Sequence, residues 1–220
     1  MRKWFHGGWQ AGRCATLLLL AVPALAQVES QGHGQLTLGL GQARAPFGNV
    51  AAGVAEGSTS VPTTTAHSIA WRIAGGFQFW DYMSGQVGIS YANRLHSSAP
   101  YLATDEITAT TTISIIEAVL VAHVPLARWV RVDVTGGGAV TVSDTTLGTR
   151  QGSNLPPSQN NPVHVRKYGG TGGVDLEWRL SDEYSLIVGD HFYPGVGSAS
   201  KTGAGHGTAS ILYGGVHIQF

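Results

Sequence analysis

The chain has 220 residues, equal numbers of basic and acidic side chains, 12% charged residues and 31 glycines. The balanced charge argues against a nucleic-acid partner, because binding to phosphate backbones needs a basic surface. Low charge and abundant glycine suit β structure better than a helical fold.

The first residues have the pattern of a cleaved secretory signal. Basic residues precede an apolar run over 15–22, and the small residues Ala24 and Ala26 follow it. The run is less than half as long as the roughly 20 residues of a spanning helix. We therefore predict a signal peptide over 1–26 and one mature domain over 27–220, which keeps 10 basic and 13 acidic residues and no cysteine.

Apolar residues alternate with polar or small residues along the mature chain, which is the period of a β-strand. Tight turns follow the second, fourth and sixth predicted strands, and longer polar or glycine-rich segments follow the others. The predicted strands are Gln35 to Gln42, Ser68 to Trp80, Gln86 to Ala92, Ile113 to Val124, Val130 to Val142, Lys167 to Leu180, Tyr184 to Tyr193 and Ile211 to Phe220.

Two of these strands are irregular. In the fourth, Ile113 and Ile115 share one parity and Leu120 the other, which predicts a β-bulge near Ile115, because one extra residue reverses the face. In the seventh, Asp190 and His191 place polar groups on both parities, so the register stays open.

The chain ends inside a strand, whose backbone groups need a partner. Pairing with the first strand closes a barrel of about eight strands. A soluble up-and-down barrel has an apolar lumen and a polar exterior, whereas a membrane barrel has an apolar exterior, short periplasmic turns and long extracellular loops. The continuous apolar face of the second, fifth and sixth strands favours an all-β, closed antiparallel transmembrane barrel.

Charged residues on the opposite face are predicted to fill the lumen, because a barrel of eight strands is just wide enough for side chains. Both signs are present, so buried charges can pair. The predicted network comprises Arg72, Arg94, Glu117, Arg131, Asp133, Lys167, Asp175, Glu177 and Arg179. His123 and His217 are expected in the periplasmic half of the lumen.

Aromatic residues cluster at the short turns and at the chain end. Trp and Tyr favour the interface between membrane and water, which predicts a periplasmic aromatic belt. Its members are Trp80, Tyr82, Trp129, Trp178, Tyr184 and Phe220.

With its signal, its single-barrel length, its alternation and its terminal IQF, the chain resembles the small eight-stranded outer-membrane proteins of Gram-negative cell envelopes, the OmpA-like and opacity-type barrels. The resemblance implies an outer-membrane location, contact with outer-membrane lipid, and recognition of the C-terminal strand by the barrel-assembly machinery. It implies a structural, surface-interaction or minor permeability role, with an extracellular ligand bound through the loops as a further possibility.

Other functions remain open from the sequence. Some small barrels are lipid A deacylases or acyltransferases, but the deacylase pattern of a His, a Ser two residues later and a following Asn is absent. A serine-based site assembled from several strands is an alternative, and a soluble lipocalin-like binder is another. We predict no catalytic residue, metal site or cofactor.

Overall fold

The computed structural model describes residues 33–46, 65–100, 106–150, 163–194 and 208–220. The predicted signal over 1–26 and the four long connections lie outside the described residues. The eight strands are β1 His33–Pro46, β2 Thr65–Trp80, β3 Met83–Pro100, β4 Glu106–Ala127, β5 Val130–Arg150, β6 Val163–Arg179, β7 Tyr184–Pro194 and β8 Thr208–Gln219.

The strands close into one antiparallel barrel in chain order. Each strand pairs with the next, and β8 returns to β1 with Leu38 opposite Val216. Closure satisfies the backbone groups of both edge strands. This confirms the predicted fold class and the predicted partner of the last strand. Within the described ranges, no helix is long and apolar enough to cross a membrane.

The two ends of the barrel differ in their connections. Tight turns over 81–82, 128–129 and 180–183 lie at one end, together with Phe220, and we call this the short-turn end. The opposite end, the long-connection end, is where β4 and β5 extend well past their predicted limits. Threonine is common in these extensions, and its branched side chain favours a strand.

The outer surface of the barrel is apolar. Leu40 is 65% exposed, Ile69 is 74% exposed and Val188 is 57% exposed, although all three lie within strands. A water-soluble barrel buries such side chains in its lumen, whereas a membrane barrel turns them towards lipid. The exposed face is therefore a lipid-facing surface, and the soluble lipocalin-like interpretation is wrong.

The registers of β4 and β7 are regular. Odd-numbered residues of β4 are buried from Thr111 to His123, so the predicted bulge near Ile115 is wrong. Isoleucines occur on both faces there because the lumen at that height is itself apolar. In β7 the odd-numbered residues, including His191, face inward, and Asp190 faces outward.

Arg94 does not lie in the lumen, contrary to the prediction from parity. A bulge interrupts β3 between Ala92 and Leu95, and both Asn93 and Arg94 between them are exposed. Arg94 has a φ of 55°, a left-handed conformation that is uncommon for a residue other than glycine. The extra residue reverses the face, and Arg94 therefore points away from the barrel interior.

Arg179 and Lys167, two further basic residues of the predicted network, are not fully buried. Arg179 is exposed, because β6 ends there and its side chain lies at the mouth of the short-turn end. Lys167 is half-buried on the inward parity of β6, towards the long-connection end. The other six residues of the predicted network lie inside the barrel.

Candidate functional site

Inward side chains of the described strands contact one another at three levels of the barrel. Towards the long-connection end the side chains form an apolar cluster, which the sequence did not predict because small residues dominate the inward positions there. Its members include Ala43, Ala45, Ala66, Leu95, Ile113, Tyr193, Ala209 and Ile211. This cluster contributes hydrophobic burial inside the barrel and covers the charged residues beneath it.

A middle layer of charged and aromatic side chains crosses the barrel. Arg72 on β2 donates from Nη2 and Nε to Oε1 of Glu117 on β4, at 2.5 and 3.1 Å. The hydroxyl of Tyr213 on β8 donates to Asp175 on β6 at 2.7 Å. The guanidinium carbon of Arg72 also lies 5.4 Å from the Tyr213 ring centre, a cation–π contact.

His191 on β7 joins the two carboxylates of the middle layer. Its Nε2 lies 3.2 Å from both oxygens of Asp175, and its Nδ1 lies 3.7 Å from Oε2 of Glu117. Arg72 alone balances only one of these two negative charges. The His191 ring lies between the two carboxylates, with one ring nitrogen facing each of them.

Glycine on the inward face gives the middle layer its space. A Cβ at Gly189 would overlap the Asp175 carboxylate, and one at Gly39 would collide with the Tyr213 ring. Inward glycines on β1 and β7, the two strands that flank β8, thus leave room for the Tyr213 ring and the Asp175 carboxylate.

A lower layer lies towards the short-turn end and centres on Arg131 of β5. Its Nη2 contacts Oε2 of Glu177 at 2.7 Å, and its Nε lies 3.2 Å from Oδ1 of Asp133. His217 on β8 is buried beside them, with its Nδ1 2.9 Å from the hydroxyl of Thr37 on β1. The lower layer therefore joins strands on several sides of the barrel.

Ser84, His123 and Asp133 form a linear set of hydrogen bonds within the lower layer. The Ser84 hydroxyl lies 3.0 Å from Nε2 of His123, and Nδ1 of His123 lies 2.8 Å from Oδ1 of Asp133. A serine, a histidine and a carboxylate in this order are the parts of an acyl-transfer triad. Ser84, however, is 0% exposed, so its oxygen has no contact with solvent or with a substrate.

A cavity of about 300 Å³ opens at the short-turn end, below these layers. Its lining includes His123, Arg131, Glu177, Gln78 and Gln219. Solvent thus reaches the lower layer from this side. Above it, the side chains of Arg72 and Glu117 are each buried, with 1% exposure.

The predicted aromatic residues lie together at the short-turn end, and all are exposed: Trp80, Tyr82, Trp129, Trp178, Tyr184 and Phe220. Trp129 and Trp178 pack with their ring centres 4.8 Å apart. Elsewhere on the outer surface, Trp71 stacks on Tyr91 at 5.7 Å. No group of three or more His, Cys, Asp or Glu side chains in the described part of the chain is arranged to hold a metal ion.

The alternation along each strand predicts that the charged members of both layers face inward, but it does not connect Ser84, His191 or Tyr213 with them. The available signal was parity, since each faces inward on a strand whose other face is apolar. Parity does not give the height of a residue along the barrel axis relative to residues of other strands. That height decides which of these side chains contact one another.

No protein-family model matches the chain, and no curated protein matches it either. Among solved structures, the chain is similar to Neisserial surface protein A, with a TM-score of 0.54 and 12% identity over 87% of this chain and 98% of that one. It also matches Ail of Yersinia pestis in complex with the heparin analogue sucrose octasulfate, with a TM-score of 0.47 and 9% identity over 85% and 99% of the two chains. A third match is OprG of Pseudomonas aeruginosa, with a TM-score of 0.41 and 11% identity over 85% and 96%.

The similarity to Neisserial surface protein A extends over almost the whole of both chains and concerns the fold. In this chain, eight strands close into a barrel in chain order, and the outer surface of the barrel is apolar. This architecture is that of an integral outer-membrane protein. The chain therefore has the fold of the small eight-stranded outer-membrane barrels, which is the class that its sequence resembles.

Proposed function

We propose that this protein is a closed, non-conducting outer-membrane barrel with a structural or surface-interaction role. The filling of the lumen at three levels supports this role most directly. Three groups of side chains lie across the path that an ion would take. They are the ion pair of Arg72 and Glu117, the ion pair of Arg131 and Glu177, and the apolar cluster.

The long connections are the segments that would contact a partner outside the cell. In the usual orientation of such barrels they face the outside of the cell and the short turns face the periplasm. The exposed aromatic residues of the short-turn end then lie at the periplasmic interface. The C-terminal strand, which closes the barrel against β1, is the segment that the assembly machinery would recognise.

Conductance in planar bilayers tests the closed lumen. We expect no steady conductance from the full mature chain after insertion, because the buried side chains of the middle layer lie across the lumen. A large porin added afterwards to the same bilayer serves as the positive control. Insertion is checked separately by a difference in gel mobility between unheated and boiled samples. A large, steady conductance of the inserted protein contradicts the proposal.

A second candidate, a barrel-embedded acyl hydrolase or acyltransferase, is favoured by the geometry of Ser84, His123 and Asp133. His123 reaches the cavity at the short-turn end, but the burial of Ser84 opposes attack on any substrate.

We expect a fluorophosphonate probe, which forms a covalent adduct with activated serines, to leave Ser84 unmodified. Mass spectrometry of the folded protein checks this, with Ser84→Ala as the control. An adduct at Ser84 that disappears in that variant would instead establish the enzyme.

A further inference from the structure

Three basic side chains lie together on the outer surface, at the long-connection end of β1, β2 and β3. Arg44 stands opposite His67 in the register of β1 and β2. The hydroxyl of Ser68 bonds to the carbonyl of Asn93, which places the bulge that carries Arg94 beside the same part of β2. Arg44, His67 and Arg94 are all exposed, and we call them the basic cluster.

The height of this cluster coincides with the edge of the apolar surface. A strand tilted by about 40° rises about 2.5 Å per residue along the barrel axis. Counted up β2 from Trp80 at that rate, Ile69 lies about 27 Å up and His67 about 32 Å up. The apolar band of an outer-membrane barrel is about 25 Å tall, so the cluster lies where lipid headgroups begin.

Arg94 lies in the β3 bulge, with a left-handed backbone conformation. The left-handed φ of 55° is an unfavourable conformation for arginine, and the bulge turns outward a side chain that regular pairing would place in the lumen. Bulges commonly re-aim side chains in this way. The consequence is a second exposed guanidinium, on the other side of β2 from Arg44.

Few acidic groups lie close to the basic cluster. Asp190 on β7 interacts electrostatically with Arg44. Within the part of the chain that the structure describes, His67 and Arg94 form no ion pair with any acidic side chain. The cluster therefore retains positive charge next to exposed lipid-facing side chains, among them Leu40 and Trp71.

We propose that the basic cluster binds the phosphate groups of lipids in the leaflet at the long-connection end. Arginine recognises phosphate through charge-assisted hydrogen bonds, often two at once, and the adjoining apolar strands provide a surface for the acyl chains of the same lipid. The proposal rests on the outer-membrane placement given above, which fixes this end of the barrel at a lipid headgroup layer.

The test uses Trp71, which lies just below the cluster on β2, as a local reporter. Variants in which Phe replaces Trp80, Trp129 and Trp178 leave it as the only tryptophan of the mature chain. These proteins are inserted into vesicles of phosphatidylcholine and phosphatidic acid, with bromine on the acyl chains of one lipid at a time. Bromine quenches tryptophan fluorescence on contact, so quenching reports which lipid lies beside Trp71.

We expect phosphatidic acid to be several-fold enriched beside Trp71 relative to its share of the bilayer, and Arg44→Gln with Arg94→Gln to abolish the enrichment. The matched control is Arg128→Gln with Arg179→Gln, which removes two exposed arginines from the short-turn end and should keep it. Absence of enrichment in the parent protein overturns the proposal, as does equal loss in both double variants. Displacement by inorganic phosphate would show a site for free phosphate and would also overturn it.

Insertion is checked independently in each sample by the gel-mobility difference between unheated and boiled protein. A variant that fails this check is replaced by the single substitution Arg94→Gln, which should lose part of the enrichment. A parent protein that fails it contradicts the proposed membrane barrel, whereas an inserted protein without enrichment contradicts only the lipid site.

Discussion

Glu117→Ala should lower the free energy of unfolding by about 3–5 kcal/mol, which is the usual effect of removing one partner of a buried ion pair. The carboxylate of Glu117 accepts two hydrogen bonds from Arg72 and faces His191, and the side chains of Arg72 and Glu117 are at most 1% exposed. Its removal leaves the Arg72 guanidinium buried without its main counter-charge. Urea unfolding in detergent micelles, followed by gel mobility, measures the loss.

The same barrel provides a control in an exposed ion pair. His164 and Asp144 lie 2.5 Å apart on β6 and β5, but their side chains are 68% and 51% exposed. Exposed pairs contribute about 0–1 kcal/mol, so Asp144→Asn should change the stability far less. Arg72→Met combined with Glu117→Leu should recover most of the loss, because an apolar pair of similar volume avoids burying charge. Equal effects of Glu117→Ala and Asp144→Asn would show that the middle layer is solvated.

Arginine at Val134 or Val174 should destabilise the inserted barrel by about 2–4 kcal/mol, the cost found for a basic residue facing lipid near the bilayer midplane. These valines stand opposite each other on β5 and β6. They are 46% and 50% exposed on the apolar outer surface. From Trp129 or Trp178, a rise of about 2.5 Å per residue puts both close to half the height of the apolar band.

The matched control lies on the same strand and the same face. Thr146 on β5 is exposed, and at the same rise per residue it lies about 40 Å above Val130, beyond the apolar band. Thr146→Arg should therefore have almost no effect on the free energy of unfolding in vesicles. A loss at Thr146 as large as that at Val134 would contradict the assignment of the lipid-facing belt.

The alternation and spacing of residues along the chain predict the strands, their order and the direction of most side chains. A period of two gives the face of each residue as long as pairing is regular, and this held for Val134, Val174 and Asp175. The closed barrel is predicted because the last strand needs a second partner, and β1 is the strand that provides it. The alternation of tight turns with long connections then separated the two ends of the barrel.

Arg94 and Ile115 show where the pattern failed. One extra residue after Ala92 turned Arg94 outward, and no residue type in this stretch marks that bulge. At Ile115 the inward isoleucine suggested a bulge that does not exist, because the lumen at that height is apolar. Apolar residues on both faces are compatible with a regular strand whenever both surroundings exclude water.

The contacts between inward residues follow from the closed barrel and not from any local pattern. Three different strands contribute Ser84, His123 and Asp133. Five different strands contribute the middle layer, namely Arg72, Glu117, Asp175, His191 and Tyr213. Their contacts depend on the stagger between strands that closes the barrel. Periodicity assigns a side chain to a face of its own strand, but the stagger sets its height relative to other strands, and no local pattern encodes that height.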